Sequence, residues 1–342
     1  MSLTRRTFLK GSVLIPTALP LLGTAAAGAT DNHDSAGNEG TLKDGKKHNP
    51  IHPDGNLSPI SIFSKALHFL HFEEMAETVA GMGFDGIDLT VRPEGHVLPE
   101  NVERDLPEAI RIFKKYNLQV YSIVTTIRDA EDPLTERILA TAGKLGIGHY
   151  RMDWIRYNDL IPVEQDLANI EKSLIKLSAL NAKYKIYGGY QNHSGRLGNQ
   201  TVFGGPVWDL GMILKKINSP WLGCQYDIYH ATAEAVTSWP SGFRFITPHI
   251  RSIALKDFKW NQADGRKKEP VPMGKGLIDF AAYFRMLKQA GVNVPISIHC
   301  EYGEHGQGRN FINDRQRSSI CEKSDEQLIT HTGRVLPGII NQ

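Results

Sequence analysis

The chain has 342 residues, with 39 Lys and Arg against 37 Asp and Glu, for a formal net charge of +2. Basic residues are scattered rather than gathered into a stripe, which excludes a nucleic-acid binder. A chain of this length with 41% hydrophobic residues can bury one large core, and its three cysteines, an odd number, argue against a disulfide framework.

Residues 1–29 read as a twin-arginine export signal. Arg5 and Arg6 stand in a short basic region before Phe8, Leu9 and Lys10, a modest apolar run follows, and Ala27-Gly28-Ala29 forms a small-residue cleavage site. Pro16 and Pro20 interrupt the run, which is shorter than the roughly 20 apolar residues a spanning helix needs. The expectation is therefore a cleaved signal and a periplasmic protein with no membrane association afterwards. No cysteine precedes Cys224, so a lipid-modified N-terminal cysteine is excluded. Residues 30–58 are polar and rich in Gly, Asn and Asp, which predicts a flexible linker whose His33, His48 and His52 are solvated.

Residues 59–342 alternate short β-type runs with amphipathic helical stretches. Strands are predicted at Ile60–Phe63, Gly86–Leu89, Val120–Thr125, Tyr150–Met152, Lys185–Tyr190, Leu222–Asp227, Ile250–Leu255 and Val294–His299. Helices are predicted from Phe72 to before Gly83, at Leu106–Tyr116, Leu134–Leu145, Glu164–Ala182, Val207–Ile217, Ala231–Ala235 and Ile278–Ala290, with a broken one at Asp314–Leu336. Such alternation implies parallel strands with crossover helices, and eight units favour a closed (β/α)8 TIM barrel over an open doubly wound sheet. The first strand runs into SIFSKALHFLH with no Gly-rich phosphate loop, which removes the usual reason to expect a dinucleotide fold.

In such a barrel the chemistry sits at the C-terminal strand ends. After the second strand, Arg92, Glu94 and His96 occupy a loop stiffened by Pro93 and Pro99, with Arg92 and His96 the better substrate-binding candidates. At the fourth strand, Arg151 and Asp153 share a face and either pair with each other or contact substrate, while Trp154 offers a flat surface to a sugar ring. The fifth ends in Gln191-Asn192-His193-Ser194, where a turn role explains Asn192 and Ser194 but not Gln191 and His193. At the sixth, Asp227 is either a hard oxygen ligand or a helix cap, and His230 can ligate or hydrogen-bond. The seventh gives Lys256 and Asp257, candidates for proton transfer, charge stabilisation or substrate binding, and later Gly274-Lys275-Gly276. Glu301 ends the eighth, where a buried carboxylate needs a metal or a substrate hydroxyl to compensate it.

Together, QNH, DIYH, ALKD, GKG and the final Glu resemble the xylose isomerase-like barrel superfamily, which includes sugar isomerases and epimerases, inosose dehydratase and apurinic endonucleases. The resemblance implies a divalent metal (Mn, Mg, Co or Zn) held by Glu, Asp, His and Glu at strands five to eight. Asp227 and Glu301 match, whereas Gln191 stands for the first Glu and Ala254 for the His, with His193 a substitute imidazole. The expected metal set is thus Gln191, Asp227, Glu301 and His193. Glu301 would also act as base, Lys256 would stabilise negative charge and His230 would orient the substrate. The expected function is an exported carbohydrate enzyme, an isomerase or epimerase with a β-eliminating lyase next, that abstracts a proton beside a sugar carbonyl through an enediolate. The alternative is a non-catalytic periplasmic sugar-binding protein on the same scaffold. Its partner would be a small-molecule sugar or glycoside, and homo-oligomerisation is left open.

Overall fold

All eight expected strands form in the computed structural model, which describes residues 58–263, 265 and 267–302. They are β1 (Ile60–Phe63), β2 (Gly86–Val91), β3 (Ser122–Thr125), β4 (His149–Arg151), β5 (Tyr187–Gln191), β6 (Leu222–Asp227), β7 (Ile250–Leu255) and β8 (Ile296–Ile298). Each pairs in parallel with its sequence neighbours, and β8 returns to β1 with Ile296 opposite Ile60, which closes the barrel. This is the single (β/α)8 barrel that the alternation predicts.

Helices α1 (Phe72–Gly81), α2 (Val102–Lys115), α3 (Pro133–Lys144), α4 (Val163–Tyr184), α5 (Trp208–Ile217), α6 (Ile228–Ala235), α7 (Trp239–Ile246) and α8 (Phe280–Gln289) surround it. Local chemistry sets several boundaries. Asp132 and Asp279 cap α3 and α8 by accepting from the amides of Leu134 and Ala282 at 2.8 Å each, and Gly83 takes φ 79° just beyond α1. Two departures from the expected helices occur between β6 and β7. Helix α6 starts three residues early, because Asp227 caps it directly from the strand end, and α7 forms where no helix is predicted.

The two-residue period of the strands sorts the side chains. Ile62, Ile87, Leu89, Ile123, Tyr150, Tyr190, Tyr226, Ile253, Leu255 and Ile298 join the core shared with the helices. The alternate residues, among them Ser61, Asp88, Ser122, Gln191, Gln225, Asp227, Ser252 and Ser297, form a buried polar row on the other face. Ser297 Oγ donates to Asp88 Oδ2 at 2.7 Å across that face. Continuing the rows beyond the strands adds Lys65, Arg92, Asp153, Lys256 and Glu301, so the period itself delivers charged groups to the C-terminal mouth. Two antiparallel ribbons decorate that end: Arg196–Leu197 with Gln200–Thr201, and Asp257–Trp260 with Lys268–Val271.

Cys224 and Cys300 are both buried. The twin-arginine segment, the linker up to residue 57, Cys321 and the helix expected at 314–336 lie outside the described residues.

Candidate active site

The ends of β5 to β8 converge on one buried ammonium. Lys256 Nζ lies 3.4 Å from Asp227 Oδ2 and 3.3 Å from Glu301 Oε2. Burial works against the ammonium, but the two carboxylates outweigh it and hold Lys256 above its usual pKa. Glu301 is likewise opposed by burial, yet Lys256 and then His299, 3.6 Å from Oε1, keep its carboxyl well below the usual range. Its side chain remains 26% exposed, whereas that of Asp227 is fully buried. Burial raises the Asp227 pKa, with Lys256 pulling in the opposite direction.

Asp227 fills both roles that its position suggests. Oδ1 accepts from the His230 amide at 3.2 Å and caps α6, while Oδ2 accepts from Gln191 Nε2 at 2.8 Å. Asn192 locks β5 to β6 beneath it, donating to the Asp227 carbonyl at 3.0 Å and accepting from the Asp227 amide at 2.8 Å. The Gln191 amide has only one workable orientation. Its Oε1 accepts from Arg151 at 3.0 Å, so a flipped amide would set donor against guanidinium and oxygen against carboxylate.

His230 is neutral, because burial, Lys256 and His193 all push its pKa well below 6.5. Its Nδ1 accepts from the Ser194 amide at 3.2 Å and lies 2.9 Å from Ser194 Oγ, which leaves the proton on Nε2, 3.7 Å from Asp227 Oδ2. Lys268, from the second ribbon, donates to Ser194 Oγ at 2.5 Å. The His193 ring centroid is 4.0 Å from that of His230 and 4.5 Å from that of Trp154. Burial, with Lys256 next, drops the His193 pKa to about 3. Trp154 also carries the Arg151 guanidinium at 4.8 Å, so it braces two polar groups.

Other expected positions lie differently. No direct ion pair joins Arg151 to Asp153; Asp153 has Arg128 at 3.9 Å instead. His96 Nε2 donates to the Leu67 carbonyl and Nδ1 meets Thr90 Oγ1, both at 3.1 Å, so both nitrogens hold the β1 and β2 loops rather than a ligand. Asp257 is turned from the substrate face. Its carboxylate accepts from the amides of Phe258 (2.8 Å), Gly274 (3.0 Å), Gly276 (2.8 Å) and Ile278 (3.3 Å). A Cβ at Gly276 would run into Asp257 Oδ1 and the Phe258 carbonyl, which is why the GKG segment carries glycine there.

The divalent metal expected at Gln191, Asp227, Glu301 and His193 does not fit these residues. Gln191 turns its NH2 toward Asp227, Ala254, in register with Asp227, brings only a methyl group, and Lys256 sets a positive charge between the two carboxylates. His193 Nδ1 is buried without a hydrogen-bond partner, and its ring packs on Trp154 and His230. Among the described residues, no three His, Cys, Asp or Glu side chains converge as metal ligands.

Sequence reasoning passed over Lys65, Lys268 and His299, and gave Ser194 only a turn role. Lys65 and His299 were within reach of it, since each continues a two-residue row into the mouth. Lys268 gave no local signal, because only folding of the ribbon brings it to Ser194.

A family model described as xylose isomerase-like TIM barrel matches residues 76–318. No curated protein matches the chain. Among solved structures, an IolI protein with a bound zinc atom superposes with TM-score 0.65 at 15% identity, covering 83% of this chain and 98% of its own. The 3-keto-D-glucoside 4-epimerase YcjR from E. coli gives 0.59 at 14%, covering 83% and 100%. A probable 3-DHS dehydratase, AsbF from Bacillus anthracis, gives 0.60 at 13%, covering 82% and 98%. At these identities the solved structures establish the fold, while the family match spans most of the barrel: the chain belongs to the xylose isomerase-like TIM barrel family.

Proposed function

We propose that this chain is an exported carbohydrate enzyme that removes a proton beside a sugar carbonyl, with a lysine ammonium as the electrophile. The observation that carries the reading is Lys256 held between Asp227 and Glu301 at the mouth of the barrel. Glu301 takes the proton, the C–H electron pair forms a C=C bond as the carbonyl π pair moves onto oxygen, and Lys256 stabilises the resulting enediolate, aided by His230 Nε2–H. When a substrate oxygen draws Lys256 away, Glu301 loses its counterion in a buried place and becomes a stronger base. Asp227 is enclosed and engaged through both oxygens, which leaves Glu301 as the accessible carboxylate beside Lys256. That favours return of the proton to the neighbouring carbon (isomerisation) or loss of a β-substituent over inversion, which calls for acids on both faces of one carbon. Solved proteins of the same fold named as sugar epimerases and a dehydratase support the carbohydrate reading. The twin-arginine segment supports export, with unphosphorylated sugars or glycosides met outside the cytoplasm.

A second reading, a sugar-binding protein without turnover, draws on the same Gln191 and Ala254. One experiment separates the two: incubation with ketoses, aldoses and 3-keto-glycosides in deuterated water, followed by NMR. Deuterium at the carbon beside the carbonyl, abolished by Glu301→Gln, is the expected result. Sugar binding with neither exchange nor product across the panel would leave the binding protein.

A further inference from the structure

Three cationic side chains crowd the β1, β2 and β4 side of the mouth, where among the described residues carboxylates act on them only from beyond ion-pair distance. Lys65 follows β1 and Arg92 follows β2, and among the described residues neither side chain has a hydrogen-bond or ion-pair partner. Arg151 ends β4 and is 3% exposed; one guanidinium nitrogen donates to Gln191 Oε1, but its Nε is buried with no partner. The guanidinium carbons of Arg92 and Arg151 both lie 5.7 Å from the Phe63 ring centroid. Lys65 lies within electrostatic reach of Glu301 and of three cations, Arg92, Lys256 and Arg151. Burial lowers the pKa of Lys65 and Arg92, and neighbouring cations add to this for Lys65. Asp153, Glu301 and Asp88 act on Arg92 and Arg151 only from beyond ion-pair distance, and Glu301, which also acts on Lys65, is engaged by Lys256. A buried, unpartnered guanidinium edge is costly unless a ligand meets it.

We infer that Lys65, Arg92 and Arg151 bind a carboxylate carried by the sugar, so that the substrate is a sugar acid rather than a neutral sugar. The flat edge of a guanidinium offers two parallel N–H donors that match two carboxylate oxygens, and Lys65 supplies a point charge beside them. Arg151 links this subsite to the reaction centre, because the guanidinium that faces the anion also fixes Gln191, which fixes Asp227. A carboxylate held there sets the distance from the acid group to the carbon above Glu301. The inference rests on this mouth being the sugar site, and its test reads binding rather than turnover.

Calorimetric titration with D-glucuronate and D-galacturonate, each against its parent aldose and against glucose 6-phosphate, tests it. At least one uronate is expected to bind about ten-fold or more tightly than its parent aldose. Arg92→Gln and Lys65→Gln should each remove most of that preference, and Lys65→Arg should keep it. Lys65 lies outside the strands, so its variants read the subsite even if Arg92→Gln fails to fold. Equal affinity for acid and parent sugars, or tighter binding of the 6-phosphate than of either uronate, would overturn the inference. Uronate binding without proton exchange would refute the proposed reaction and leave the subsite standing; exchange on neutral sugars with no preference for acids would do the reverse.

Discussion

In the proposed reaction Lys256 sets the chemistry. An ammonium between two carboxylates repays its desolvation only while both partners remain, so removing it leaves Asp227 and Glu301 buried and facing each other. Lys256→Met is expected to lose about 3–5 kcal/mol of stability in urea unfolding, whereas Lys256→Met with Glu301→Gln recovers much of that loss, and neither variant should exchange deuterium. The same residue explains the poor fit of a divalent cation, whose affinity depends on anionic oxygen or imidazole donors. Chelators should therefore leave the melting temperature and any turnover unchanged. Gln191→Glu with Ala254→His and Lys256→Ser should create a measurable Mn²⁺ or Zn²⁺ site by calorimetry. Stoichiometric metal in the wild-type protein, lost on chelation together with its activity, would contradict this account.

Loops and ribbons after β7 decide which side chains reach the mouth. Asp257 sits next to Lys256 in the chain, yet the turn into the ribbon sends its carboxylate to four backbone amides. Asp257→Asn replaces an acceptor with an amide whose NH2 faces those N–H groups, at a cost of about 2–3 kcal/mol. Substrate affinity should change little, and a large rise in KM with unaltered stability would return Asp257 to the substrate face. The ribbon also carries Lys268 to Ser194, which holds Nδ1 of His230. Lys268 is therefore a positioning residue: Lys268→Met should lower kcat more than it raises KM, with Lys268→Arg recovering part of the loss.

Over the whole molecule, burial of histidines in neutral form makes the fold sensitive to acid. Burial lowers His96, His149 and His299 to about 4 each from 6.5. The unfolded chain takes up these protons near pH 6.5 and the folded chain resists until about 4, so their contribution is complete above 6.5 and is lost as pH falls through that window. Glu301, also lowered, adds a loss below its ordinary value of 4.5. Asp88 and Asp227, raised by burial, act oppositely, giving stability at low pH that disappears as pH rises through their folded values. With His68, His193, His230 and His249 also lowered, and Asp209 and Asp257 also raised, lowered histidines outnumber raised carboxyls, so the melting temperature should fall steadily from pH 6.5 to 4 in calorimetry. Because His193 and His230 are neutral throughout, the pH–rate profile should show no acid limb between about pH 5 and 7; a limb near 6.5 would mean that a charged imidazole takes part.

The primary sequence by itself determined the eight strands, their parallel order and the residues at their C-terminal ends, because a period of two against a period of 3.6 is a local property of the chain. It also exposed the substitutions at Gln191 and Ala254. Tertiary structure alone decided what those ends do. Only barrel closure brings Lys256 between Asp227 and Glu301, which come from the strands on either side of it, and those two carboxylates keep the ammonium charged against its desolvation. Likewise, Asp257 and His96, indistinguishable in sequence from substrate ligands, prove to be loop clamps, since hydrogen-bond partners far along the chain have no signature in local pattern.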